Sequence, residues 1–146
     1  MSRRRHVAGT VSRFGRASSM SGAEMRSLVE SIGLTRRDVH RLLEVSESSV
    51  SRWWAGQASI PTGVADHVHA WVARSADLVE ELTRQLHDCG KVPVYVTDDE
   101  LTAVRPDLAP FGAMFHRVAA ARALDAIGPE GGTGEAPSLT WGTHRS

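Results

Sequence analysis

The chain has 146 residues, enough for one domain, or for a small domain with an appendage. Hydrophobic content is an ordinary 41%. No run approaches the roughly 18 apolar residues of a membrane span, and the basic N-terminus lacks the apolar stretch of a signal peptide, so a cytoplasmic protein is expected.

Net charge is zero but uneven. Residues 1 to 20 carry Arg3, Arg4, Arg5, Arg13 and Arg16 and no acid, which leaves 12 basic and 17 acidic side chains elsewhere, a net of −5. Residues 1–19 lack periodicity and read as a disordered basic arm. Such an arm either reaches an anionic partner or simply solubilises the chain. Met20 is a candidate translation start, because the folded pattern begins just after it.

Ser21 and Glu24 form a capping box before an apolar pattern at Met25, Leu28, Val29 and Ile32. Gly33 closes this first helix. Thr35 caps a second helix, with Asp38 three positions in and Val39, Leu42 and Leu43 as its buried face. Ser46 caps a short third helix that Gly56 stops. Pro61 suits the start of a fourth, long helix from about Thr62 to His87, striped by Val64, Val68, Trp71, Val72, Leu78, Val79, Leu82 and Leu86.

After Gly90, KVPVYV alternates and is β-branched, which predicts a strand. Thr97 and Glu100 form another capping box before a short helix that Pro106 and Pro110 interrupt. A last helix follows, with Phe111, Met114, Phe115, Val118, Ala121 and Leu124 inward. Residues 128–146 read as a flexible tail.

Val50 and Trp53, three apart on the third helix, share a face and are expected in the core. Trp54 is rotated about 100° from Trp53, so it either lies against the fourth helix or faces a phosphate.

The turn Glu44-Val45-Ser46 between the second and third helices has helix-turn-helix spacing. With Thr35, Asp38, Val39, Leu43 and SSVSRWWAGQASIP, this stretch resembles the Cro/CI-type (XRE) helix-turn-helix family over about 45 residues. Two positions depart from the family pattern: His40 stands where a small residue is usual, and Glu44 where glycine is usual. The resemblance places Glu47, Ser48 and Arg52 at base-reading positions. Arg52 suits guanine through two hydrogen bonds, and Glu47 suits cytosine N4. Ser49, Ser51, Arg36 and Arg37 are expected at phosphates, with Arg41 a weaker candidate. More loosely, the layout over residues 20–127 resembles the YdiL-like proteins and some anti-CRISPR-associated repressors, which implies a dimeric DNA-binding regulator.

The expected fold is mainly α. Residues 20–70 form a helix-turn-helix bundle, and the long helix connects it to a small α+β dimerisation region, residues 71–127. KVPVYV has no trustworthy partner in the chain, since Ser138 to Trp141 is very short. Pairing with the same strand of a second copy is therefore expected, with Val92, Val94, Tyr95, Val96, Phe111 and Phe115 at the interface.

The leading reading is a dimeric repressor acting on double-stranded DNA at a palindromic operator. The alternative is a protein-interaction module such as an antitoxin. Residues 21–70 hold five basic and six acidic side chains, which favours directed contacts over non-specific attraction to DNA. An enzyme is not expected. Glu100 is accounted for by its cap and Asp98 and Asp99 by the helix start, His67 and His69 do not share a helix face, and Cys89 reads as a small packing residue. No cofactor or metal is expected.

Overall fold

The computed structural model describes residues 13–129 and 134–142. The protein is mainly helical with a two-stranded sheet, and it divides into two compact units. One comprises residues up to Glu30 together with Thr35–Val72; the other comprises Ser31–Leu34 and the chain from Ala73 onward.

In the first unit, helix α1 (Gly22–Ser31) starts at the expected box: Glu24 N–H donates to Ser21 Oγ (3.0 Å), and Ser21 N–H to Glu24 Oε1 (2.8 Å). The Ser21 backbone N–H, and after it the Ser21 hydroxyl, hold the Glu24 carboxyl below its usual pKa. Helix α2 (Arg36–Leu43) carries the same device in Thr35 and Asp38. Helix α3 (Glu47–Trp54) is capped by Ser46, whose Oγ accepts from Ser49 N–H at 3.1 Å. Each box satisfies two backbone N–H groups that a helix start leaves orphaned. Met25, Val29, Val39, Leu43, Val50, Trp53, Ile60, Val64, Ala65, Val68 and Trp71 are the buried apolar side chains of this unit among the described residues, while Leu42 is only half-buried. Fully burying each aliphatic of that set contributes about 1.5–3 kcal/mol.

The basic arm is corrected in part. Residues 1–12 lie outside the described residues, but Arg16–Ser18 are fixed by backbone hydrogen bonds. Ser18 N–H donates to Ile60 O (2.8 Å), Thr62 N–H donates to Arg16 O (2.7 Å), and Ala17 bridges Pro61. Apolar periodicity could not announce this, because backbone groups rather than an apolar stripe make the attachment.

Helix α4 (Thr62–Cys89) runs from the first unit into the second. Its stripe is buried at Leu78, Leu82 and Leu86, with Val72 and Val79 half-buried. Cys89 at its end is exposed, not packed. Strand β1 (Lys91–Val94) follows, then helix α5 (Asp98–Val104) with its Thr97–Glu100 capping box, a 3-10 turn (Pro106–Leu108) and helix α6 (Ala113–Ile127). Arg105 joins these parts, with Nη1 2.7 Å from Glu81 and Nη2 2.9 Å from Asp107, while Arg74 also reaches Asp107 at 3.0 Å.

Strand β2 (Ser138–Trp141) is the main correction. It pairs in parallel with β1 in the register Lys91↔Ser138 to Val94↔Trp141, so β1 is not a lone strand and residues 128–146 are not wholly a flexible tail. Pro93 lies in β1 without breaking the ladder. Bonds from Ser138 N–H to Gly90 O and from Gly142 N–H to Val94 O set a parity in which residues 92 and 94 face β2 and residue 93 faces away.

Helix α6 packs on both strands and on α5. Val92, Val94, Tyr95 and Phe115, expected between subunits, are therefore buried inside the single chain. Phe111 is half-buried and stacked on Phe115, with ring centroids 4.5 Å apart; only Val96 of that set is exposed. The buried face of α6 is Ala113, Phe115, His116, Ala119, Ala120 and Ala123, rotated from the expected one. Met114 and Ala121 are exposed and Val118 and Leu124 half-buried, because the inward stripe is built from small alanines that let α6 approach closely.

Candidate nucleic-acid interface

The candidate surface consists of α2, α3 and the turn Glu44-Val45-Ser46 between them. Glu44 takes the left-handed conformation, φ 55° and ψ 47°, where glycine is favoured; it is the one non-glycine at positive φ among the described residues. Two side chains support this turn. His40 Nδ1 bonds to Val45 O, so the histidine where a small residue was expected is a strut for the turn. Arg13 donates to Leu43 O (Nη2, 3.1 Å) and Glu44 O (Nη1, 3.3 Å). These are C-terminal carbonyls of α2 that lack helical partners, and a cation is favoured there. Sequence reasoning missed Arg13 because a lone arginine in an aperiodic segment carries no sign of where it docks.

Val50 and Trp53 are buried, as expected, and fix which face of α3 is inward. Trp54 is half-buried with the Arg26 guanidinium of α1 6.0 Å from its ring centroid. This cation–π geometry accounts for the second tryptophan without a phosphate. Helix α1 approaches α3 closely: a Cβ on Gly22 would stand 2.4 Å from Trp53 O and 2.7 Å from Trp54 O.

The expected contact residues divide into two groups. Arg37, Glu47, Ser48 and Arg52 are exposed, and the side chains of Arg37 and Arg52 have no hydrogen-bond partner among the described residues. Glu47 Oε2 lies 3.9 Å from His40 Nε2, and Ser48 Oγ lies 3.3 Å from Ser46 Oγ. The other group is already engaged. Arg36 Nη1 donates to Ser51 Oγ at 3.1 Å, and Ser49 Oγ lies 2.9 Å from Ser46 Oγ. Arg41 is paired with Asp38 at 2.9 Å. Arg36 and Ser51 thus join α2 to α3, and the cationic reach of this surface rests on Arg37 and Arg52.

Asp98 and Glu100 have structural partners. Glu100 Oε1 accepts from Thr97 N–H, and Asp98 Oδ1 accepts from Ala113 N–H at 2.7 Å, capping α6. No cluster of three or more His, Cys, Asp or Glu suited to a metal occurs among the described residues, and no described helix is long and apolar enough to cross a membrane. No family model matches the chain, and no curated protein matches it either.

Proposed function

We propose that the protein is a sequence-specific DNA-binding regulator, a homodimeric repressor in which α2, the turn and α3 act as a helix-turn-helix of the Cro/CI type. The observation that carries this reading is the division of α3: Val50 and Trp53 are buried, while Glu47, Ser48 and Arg52 are exposed. In this reading Arg52 binds guanine, Glu47 and Ser48 read neighbouring bases, and Arg37 contacts phosphate. Two copies would place their α3 helices in half-sites about 34–36 Å apart.

An electrophoretic shift assay with DNA upstream of the gene tests the reading. A shift at low salt that random DNA competes poorly is expected, and Arg52→Ala should weaken specific binding by about 1–3 kcal/mol while sparing random DNA. No shift by the intact protein at low salt overturns it. The near balance of charge in residues 21–70 favours the second reading, a protein-interaction module such as an antitoxin, if that happens.

A further inference from the structure

We infer that the outer edge of β2 is the surface through which two copies of this chain join, with Thr140 of each copy facing its counterpart across a two-fold axis. The inference deepens the two-copy reading above by naming its interface. In the parallel ladder, residues 138, 140 and 142 face β1, so the backbone N–H and C=O groups of Leu139 and Trp141 point away from it and have no partner among the described residues. The opposite edge of the sheet is closed to the same use, because Pro93 faces outward there and has no N–H. Among the described residues, the sheet therefore has one open edge.

That edge is short, but it lacks the charges and the proline that keep edges apart. SLTW contains no charge, no proline and no glycine. Trp141 is 61% exposed, although the register puts it on the same face as the buried Val92 and Val94 and the half-buried Leu139. The apolar face of the sheet thus runs on past its last strand and ends in a solvent-facing indole.

The sequence of the edge selects a second copy as its occupant. Antiparallel pairing centred on Thr140 sets Leu139 opposite Trp141 of the other copy, and Trp141 opposite its Leu139. Both outward residues of each copy are then hydrogen-bonded, and an aliphatic–aromatic pair forms twice. Centring on Leu139 instead would set Trp141 opposite Pro137, which has no N–H to give. The uncharged strand brings no like charges together across the axis.

The test is sedimentation of the full chain with variants at Thr140, whose side chain is exposed and outside the buried core. Wild type is expected to be a dimer at micromolar concentration. Thr140→Arg and Thr140→Glu should each sediment as folded monomers, because like charges then face each other across the axis. An equimolar mixture of the two should restore dimers. Circular dichroism checks folding, and Val104→Glu, at another exposed apolar position, should remain dimeric. A monomeric wild type, dimers of either charged variant alone, or a mixture that stays monomeric would each overturn the inference. The regulator reading is separable: a Thr140-dependent dimer that shifts no DNA refutes that reading and leaves this interface standing.

Discussion

Arg13 donates to the backbone carbonyl of Leu43 across thirty residues of chain. It stabilises the end of α2, and with it the turn on which α3 is set. Its guanidinium also lies over the Phe14 ring, 4.7 Å from the centroid. Arg13→Met keeps most of the stem but removes every donor. The expected loss is about 1 kcal/mol, read as a lower denaturant midpoint with unchanged slope. A midpoint equal to wild type would show that water serves these carbonyls equally well.

Glu44 is the converse case, a residue whose backbone costs stability. At φ 55° a side chain is disfavoured by about 1–2 kcal/mol, part of which glycine returns through its greater freedom when unfolded. Glu44→Gly should therefore stabilise the protein by about 0.5–1 kcal/mol and raise its melting temperature. A decrease would mean that the glutamate side chain contributes more than its backbone costs.

Gly22 is set by contact rather than by conformation. Alanine is normally the better helix former, by about 1 kcal/mol. Here its Cβ would meet two carbonyl oxygens of α3, at 2.4 and 2.7 Å, and backbone cannot rotate away as a side chain can. Gly22→Ala should cost a net of about 1–3 kcal/mol and alter tryptophan fluorescence, because Trp53 and Trp54 must shift. Unchanged melting and emission would place α1 farther from α3.

His116 should give the protein an acid-sensitive stability. Burial, with Arg105 and then Arg117 acting the same way against an opposing effect of Glu81, lowers its pKa to about 4. It is 3% exposed, Tyr95 lies beside it with ring centroids 5.7 Å apart, and its Nδ1 has no partner among the described residues. The unfolded chain therefore takes up a proton near pH 6.5 that the folded chain resists. The contribution is fully present above pH 6.5 and is lost as pH falls toward about 4, by up to roughly 3 kcal/mol. Chemical denaturation between pH 7 and 5 should show that slope, and His116→Leu should flatten it.

Local signals in the sequence were strong wherever one short segment contained both partners. The capping boxes at Ser21, Thr35 and Thr97 join residues three apart, and all three form. The stripe of α4 was equally legible, because Leu78, Leu82 and Leu86 repeat at helical spacing. What escaped was set by distant partners. The strand Ser138–Trp141 is too short to declare itself and exists through β1. The inward face of α6 was misread because large residues drew attention from the alanines that the packing uses. At the candidate interface, Val50 and Trp53 were legible as core, but the bond between Arg36 and Ser51 needed the folded positions of two helices.

Ser31–Leu34 belong with the C-terminal unit although they interrupt the N-terminal one. Ile32 and Leu34 are buried, and Gly33 lies so close to α6 that a Cβ there would stand 2.7 Å from Met114 O. The two units are therefore not interchangeable cassettes. A gene fusion at residue 72 that supplies a foreign C-terminal half leaves Ile32 and Leu34 without their receiving surface, and strips α6 of the segment that lies against its backbone at Met114. A productive chimera must exchange residues 31–34 together with the C-terminal half, so recombination at a single junction is closed to this architecture.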